Sequence, residues 1–282
     1  MAASGAAGAF APVAEAAGPG AAAVARALKY LPKGAVGIVH VEIKAQIKEV
    51  VEQSVKAGLP EDFAKLFLKM GARIDAVDVY LLPGRGSPMP LLLVHGKIGG
   101  EDLTELAGLI SSAPPVKKAD NGRYTIVGKG GPPIGMVVGD DANDVPAGVT
   151  VMGLAPMLTT EFLKTLGKGD KAALAAMLKG VDTTAAVWGA ADTGFLADPD
   201  APKRIVGSVR LVTKGISKVE MIFSGPDPAR DFEQSIQKHQ GIARPVVEHM
   251  IIKRTDAKVT LETKAPEPLL GGILAGLARA RM

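Results

Sequence analysis

Hydrophobic and polar positions alternate with two different periods along the chain, and the two periods predict short strands and amphipathic helices. Residues 35–43, AVGIVHVEI, are rich in β-branched residues, which is typical of a strand. Apolar residues then recur at helical spacing in 44–58 and again in 60–71, and both runs end at a glycine. The pattern therefore predicts one strand followed by two helices. Strands at 73–83 and 89–98 and a helix at 99–110 follow.

A similar order of elements returns in the second half of the chain. Residues 183–192 predict a strand, 203–213 and 216–223 a hairpin, 224–239 a helix and 256–264 a last strand. Two copies of one unit explain this order most simply. We therefore predict an α+β protein of two divergent repeats. Each repeat is a mainly antiparallel sheet with helices packed on one face, in the manner of a split β-α-β or ferredoxin-like unit.

Composition changes sharply at the two ends and suggests the boundaries of the units. Residues 1–25 are almost all Ala, Gly, Pro and Val, which predicts a flexible N-terminal arm, or alternatively the remnant of an export signal. The first α+β repeat is predicted at 26–139 and the second at 140–264. Residues 265–282 contain an apolar run that is too short to span a membrane, and they predict a C-terminal apolar helix.

Composition and charge exclude several classes of function. The 282 residues include no cysteine, so disulfides, thiolate chemistry and cysteine-based zinc sites are absent. The net charge is +4, and the basic clusters, such as Lys117-Lys118 and Lys253-Arg254, are short. A nucleic-acid surface usually needs a basic face with aromatic residues nearby, and aromatic residues make up only 4% of this chain. We therefore predict no nucleic-acid partner.

The glycine-rich stretch at 124–141, YTIVGKGGPPIGMVVGDD, raises the question of a phosphate-binding loop. A Walker loop needs a Ser or Thr after its Gly-Lys, but Gly130 follows Lys129 here. No helix follows to offer its N-terminal amides to a phosphate group. The stretch therefore predicts a hairpin loop between strands 123–128 and 134–139, and no cofactor is predicted.

Two of the four histidines, His40 and His95, lie late in predicted strands. His40 shares a strand face with Glu42, and His95 shares one with Lys97. If strands 36–43 and 90–98 are neighbours, these side chains meet and a Glu42–Lys97 pair forms. One interpretation is a metal or acid–base site of His40, His95 and Glu42. The other, which we favour, is the solvent-facing polar side of a one-sided sheet. On that basis we assign no catalytic, cofactor-binding or metal-binding residue. Serine sites are not predicted, and Trp188 is predicted in the core.

Two segments resemble a group of uncharacterised bacterial proteins, many of them exported. ALKYLPKGAVGIVHVEIKAQIKEV, residues 27–50, resembles their opening phrase, strand and helix. GSVRLVTKGISKVEMIFSGPDPARDFEQSIQK, residues 207–238, resembles their second hairpin and helix. The resemblance implies a duplicated α+β fold and a role without catalysis. The chain differs from that group because it has no recognisable signal peptide, so its location is left open, with an extracytoplasmic (periplasmic) one favoured slightly over a cytoplasmic one.

These observations favour a non-enzymatic protein that binds an unknown protein or small molecule through a surface or a groove between its halves. A metal-dependent or acid–base enzyme that uses the His40, His95 and Glu42 face is the first alternative. A peripheral membrane protein, with weak surface contact through its apolar ends, is the second.

Overall fold

The computed structural model describes residues 19–56, 58–84, 88–109, 116–119, 122–126, 132–140, 143–196, 198–210, 217–238 and 250–263. The described strands are β1 (Gly37–Glu42), β2 (Ile74–Leu82), β3 (Met89–Gly96), β4 (Val116–Lys118), β5 (Arg123–Ile126), β6 (Ile134–Val138), β7 (Val149–Leu154), β8 (Val187–Asp192), β9 (Arg204–Val209), β10 (Ser217–Ile222), β11 (Met250–Thr255) and β12 (Lys258–Thr263). The described helices are α1 (Pro19–Lys29), α2 (Ile47–Lys56), α3 (Glu61–Gly71), α4 (Gly100–Leu109), α5 (Thr160–Leu163), α6 (Lys171–Met177) and α7 (Pro226–Lys238).

The described strands form one large antiparallel sheet, so the chain has an α+β fold. Their order is β11-β12-β10-β9-β8-β1-β2-β3-β7-β6-β5-β4. Strands β1 and β8 pair at the middle of this order, and the strands of each half extend outwards from that pair. The two halves therefore share a single sheet, where the sequence predicted a sheet for each repeat.

A row of directly opposed residues crosses eleven strands and shows where the core lies. From β5 to β11 it contains Arg123, Val137, Val151, Leu93, Asp78, His40, Trp188, Ser208, Lys218, Glu262 and Ile251. We call this set the central row. Its members from Val137 to Ser208 are buried, whereas Ile251 is 53% exposed. The row therefore leaves the core as it passes from β9 to β11.

Helices pack on both faces of the sheet, so the prediction of helices on one face is wrong. The face that carries the central row packs against α1, α5 and α6 through residues such as Ala27, Leu163 and Leu174. On the opposite face, Met70 of α3 packs with Val94, and α7 packs against β10 and β12. The physical reason is visible in β3, where the run LLLV at 91–94 places apolar side chains on both faces.

Helix α1 begins at Pro19, inside the predicted arm of residues 1–25. Proline is favoured in the first turn of a helix, and alanine is the strongest helix former. Ala23 and Ala27 lie on one helical face and are buried with Leu31 in the core under α1. Residues 19–25 therefore belong to an amphipathic helix, which their low-complexity composition did not indicate. Residues 1–18 lie outside the described residues.

The glycine-rich stretch behaves as the sequence predicts where the structure describes it. Strands β5 and β6 pair antiparallel, with Arg123 opposite Val137 and Ile126 opposite Ile134. Residues 127–131 between them, the apolar segment 265–282, and the histidines His239 and His249 lie outside the described residues. No helix in the described part of the chain has the length and apolarity needed to cross a membrane.

Candidate functional site

A buried carboxylate bridges two histidines at the centre of the sheet. In the central row, Asp78 of β2 lies directly opposite His40 of β1. The Oδ1 atom of Asp78 is 2.6 Å from Nδ1 of His40, and its Oδ2 atom is 2.6 Å from Nε2 of His95 on β3. Asp78 is 0% exposed, His40 1% and His95 5%. An ionised carboxylate can only accept hydrogen bonds, so each imidazole donates one to it.

Strand alternation and helix α1 together bury this His–Asp–His cluster. Residues 76, 78, 80 and 82 of β2 point to the same face, and all four are buried. Helix α1 covers that face, and the Tyr80 hydroxyl donates a 2.6 Å hydrogen bond to the carbonyl oxygen of Ala27 in that helix. On the other side of His40, the Trp188 ring stacks on the imidazole at a centroid distance of 4.6 Å. The cluster is therefore enclosed by the helix and by an indole ring.

Hydrogen bonds shift the pKa values of His40 and Asp78 towards their charged forms despite burial. Burial alone would lower the pKa of His40, but the hydrogen bond to Asp78 and the contact with Glu42 outweigh it and raise that pKa. Burial opposes ionisation of Asp78 as well, yet the hydrogen bonds from His40 and His95 hold its pKa below the usual range. The hydrogen bonds of the cluster therefore favour the imidazolium form of His40 and the carboxylate form of Asp78, against the effect of burial.

Glu42 extends the cluster towards the surface of the sheet. Its Oε2 atom lies 3.5 Å from Nε2 of His40, which is an electrostatic contact rather than a well-formed hydrogen bond. Arg26 of α1 donates to the same carboxylate at 3.3 Å. The contact with His40 lowers the pKa of Glu42, and Arg26 adds to this effect against the opposing cost of burial. Helix α1 thus contributes an ionic contact to the cluster as well as apolar cover.

The structure corrects three predictions about the histidines. The favoured interpretation of a solvent-facing polar surface is wrong, because α1 covers this face and both side chains are buried. The strands of His40 and His95 are not neighbours, because β2 lies between them and supplies Asp78. Glu42 pairs with Arg26 where the sequence predicted Lys97. Trp188 lies in the core, as the sequence predicted.

The arrangement does not resemble a metal centre. Among the described residues, no group of three or more His, Asp and Glu side chains is placed to hold a metal ion. His40 and His95 each direct a ring nitrogen at Asp78, so those nitrogens serve hydrogen bonds to one carboxylate. The grouping of His40, His95 and Glu42 therefore exists in space, but as part of a hydrogen-bonded network that includes Asp78.

A basic cleft of about 840 Å³ opens beside His95. It lies between α1, the start of β2, the end of β3 and the turn before β7, and His95 forms part of its wall. Gly96 allows the backbones to meet here: its φ is +139°, and a Cβ atom would lie 2.1 Å from the carbonyl oxygen of Arg73. Its amide also donates a 2.8 Å hydrogen bond to the carbonyl oxygen of Gly148. These close contacts fix the floor of the cleft.

Cations dominate the walls of this cleft. Five basic side chains line it, against one carboxylate, that of Asp75: they are Arg26, Lys29, Lys44, Arg73 and Lys97. Three of the five have carboxylate partners, which are Glu42, Asp75 and Asp102. Lys29 lies over the Tyr30 ring at 5.1 Å. Within the described part of the chain, Lys29 and Lys97 form no ion pair, so the cleft retains uncompensated positive charge.

The sequence did not indicate a role for several residues of the cluster and the cleft. Asp78 gave one local signal: it is a charged residue at an inward position of the strand AVDVYLL, between Ala76 and Tyr80. Arg26 and Lys29 lie in α1, which overlaps the segment predicted as an arm. Arg73 and Lys97 come together only through the pairing of β2 with β3, because Lys97 N donates to the Arg73 carbonyl oxygen at 2.9 Å. Only the sheet order could have revealed the cleft.

Comparisons with known proteins identify no family. No family model matches the chain, and no curated protein matches it. Among solved structures, the "Structure of crystal form III of TP0453" shares 9% identity, covers 88% of this chain and 97% of that chain, and gives a TM-score of 0.49. The "Structure of crystal form IV of TP0453" shares 10% identity, covers 88% and 96%, and gives a TM-score of 0.47. Similarity at this level supports no inference about function.

Proposed function

We propose that this protein is a non-enzymatic binding protein whose basic cleft takes a small anionic molecule. The observation that carries the proposal is the pair of lysines without carboxylate partners, Lys29 and Lys97, in a cleft that also presents His95. The chain as a whole has 33 basic and 29 acidic residues, whereas the cleft is lined by five basic side chains and one carboxylate. Basic residues are therefore concentrated in the cleft. Binding pockets for small molecules usually measure about 300–1,000 Å³, and this cleft lies in that range.

The chemistry of the cleft favours a carboxylate or phosphate group. Ammonium groups form charge-assisted hydrogen bonds with such anions, and these are stronger than neutral hydrogen bonds. The partly buried pairs with Glu42 and Asp102 hold Arg26 and Arg73 in place at the wall, whereas the pair of Lys44 with Asp75 is exposed and contributes less order. An incoming anion therefore meets an ordered basic surface, so it orders fewer side chains on binding.

Titration calorimetry with inorganic phosphate and with citrate at low ionic strength tests the proposal. We expect binding by the wild type, and a loss of affinity of about tenfold or more in Lys29→Ala and in Lys97→Ala. Lys48→Ala is the matched control, because Lys48 is exposed on α2, does not line the cleft, and loses the same charge. Absence of binding, or equal losses in all three variants, would contradict the proposal.

General acid–base chemistry at His95 is a second candidate function. It is favoured by one observation: the buried Asp78 carboxylate orients His95, which lines the cleft. Turnover of p-nitrophenyl phosphate or p-nitrophenyl acetate by the wild type, lost in His95→Gln but kept in Lys48→Ala, would support it. Equal turnover by wild type and His95→Gln would exclude a role for this imidazole.

We also propose that the two halves of the sheet are divergent copies of one unit. The sequence placed their boundary at 139/140; we now propose a boundary between α6 and β8, because β7 pairs with β3 and β6 of the first half. The order of elements supports this: β1, β2, β3 and α4 in one half correspond to β8, β9, β10 and α7 in the other. As a further part of this proposal, the chain belongs to the exported bacterial group named above and is located outside the cytoplasm. A failure of the two sets to superpose would remove the duplication, and recovery of the native protein only from cytoplasmic fractions would remove the location.

A further inference from the structure

A second cavity, separate from the basic cleft, lies between the helix pair α2–α3 and the end of β1. Its volume is about 220 Å³. Apolar side chains form most of its wall: Val41, Ile43, Ile47, Val50, Val51, Leu59 and Phe67. Several of them belong to the small core that holds α2 and α3 together, where Val51 and Leu59 are buried. The cavity therefore borders a packed part of the fold and is partly open to solvent.

One polar atom in this wall lacks a partner. Gln46 lines the cavity, and its Oε1 atom is buried without a hydrogen bond. The buried hydroxyl of Ser54, which also lines the cavity, already donates a 2.7 Å hydrogen bond to the carbonyl oxygen of Val50. A buried acceptor without a donor is costly, because it has lost its hydrogen bonds to water and gained none. Glu42 also lines the cavity, and its carboxylate already contacts Arg26 and His40. The cavity thus presents mostly apolar walls and one acceptor without a partner, Gln46 Oε1.

Water gains few hydrogen bonds in this space, because its walls are mostly apolar. A buried water molecule normally makes two to four hydrogen bonds, whereas apolar cavities stay dry and take apolar molecules. An apolar cavity of about 150 Å³ is large enough for benzene, so this one accepts a somewhat larger ring. A molecule that fits must be compact and apolar and must carry one donor for Gln46 Oε1.

We propose that this cavity is a binding site for a compact apolar molecule with one hydroxyl donor, of the class of small phenols. Contact with Val50, Val51 and Phe67 removes apolar ligand surface from water, and the hydroxyl donates to Gln46 Oε1. The proposal does not depend on anion binding in the basic cleft, since the two sites share no lining residue.

Phenol and toluene form a matched pair of probes, because they have nearly the same shape and only phenol has the donor. Affinities are measured by ligand-observed NMR and by calorimetry on the full chain. We expect both to bind the wild type, and we expect Gln46→Met to retain toluene while the ratio of phenol to toluene affinity falls about tenfold. Gln234→Met on the exposed face of α7 is the control, and its ratio should equal that of the wild type.

A second variant tests the cavity itself. Val50→Phe places a ring in the space, so both probes should lose binding while the melting temperature does not fall. Phosphate titration of Gln46→Met in parallel keeps the two sites distinct, since its affinity should be unchanged. The proposal is overturned if neither probe binds the wild type at saturating concentration, if Gln46→Met keeps the phenol preference, or if Val50→Phe folds and still binds both probes.

Discussion

The central row passes through two environments on the same face of the sheet. At β1 and β2 it contains His40 and Asp78, which are buried beneath α1. At β10 it contains Lys218, which pairs with Glu220 at 2.8 Å, and these side chains are 48% and 24% exposed. Oppositely charged groups are thus placed side by side in both regions, but only one region is removed from water.

This difference decides how much each set of charges matters to stability. Exposed ion pairs contribute little, because water screens them and their side chains must be ordered. Buried charges cost free energy to desolvate, so removing one partner leaves a buried charge without compensation. The presence of opposite charges therefore does not by itself determine how much a region contributes to the free energy of unfolding. Burial of the charges beneath α1 does.

Substitution of Asp78 should produce the largest effect. Asp78→Asn removes the negative charge between two imidazoles while keeping the shape, so we expect a loss of about 3–5 kcal/mol in the free energy of unfolding near pH 7. Asp75→Asn is the matched control on the same strand, and we expect less than about 1 kcal/mol there, because the side chains of Asp75 and Lys44 are 52% and 63% exposed. Urea denaturation measures both, and equal losses would remove the distinction between the regions.

The second largest effect is expected in the pH dependence of the free energy of unfolding, which should distinguish the buried cluster from the exposed ion pairs. The raised pKa of His40 adds stability that is complete below its ordinary value of about 6.5 and is lost as pH rises through the folded pKa. The lowered pKa values of Asp78 and Glu42 add stability above about 4, which is lost as pH falls through their folded values. The stability difference between wild type and His40→Gln should therefore be greatest between about pH 4.5 and 6.5. A difference that does not vary with pH would contradict the charged cluster.

Trp188 should report the same titration optically. It is the only tryptophan in the chain and stacks on the His40 ring with 22° between the ring planes. A protonated imidazole quenches a stacked indole, so fluorescence should rise as His40 loses its proton, with a midpoint above about 6.5. Wild type and His40→Gln are compared from pH 5 to 9 under conditions where both remain folded. A rise of the same size and midpoint in His40→Gln would show that another group causes it.

The smallest effect is expected at the exposed end of the row. Lys218→Met removes one partner of Glu220, and we expect a change below about 1 kcal/mol that decreases further at high salt. Lys258 also contacts Glu220, at 3.4 Å, and retains part of the interaction. Thermal unfolding at low and high salt measures the change, and a loss as large as that of Asp78→Asn would show that this region is less hydrated than its exposure indicates.

The sequence predicted what depends on local periodicity. The strand at 35–43, the two helices after it and the β5–β6 hairpin follow from the spacing of apolar residues and from turn chemistry, and the structure contains them. The position of Asp78 between two histidines depends on β2 lying between β1 and β3, which is a relation between distant segments. The cover over the cluster depends on α1, whose alanine-rich sequence is equally compatible with an unfolded arm. Burial of the histidines therefore could not be read from their own strands.

The open sheet ends at β4 and β11, the outermost of the described strands. Strand β4 has only three residues, and two of them are the exposed Lys117 and Lys118; β11 carries Lys253 and Arg254. An unpaired edge is a template on which another chain can add, and charged side chains oppose that addition because they would lose water. The basic doublets that looked like weak nucleic-acid signals thus place charge on the outermost described strands, where it disfavours edge-to-edge pairing with another sheet.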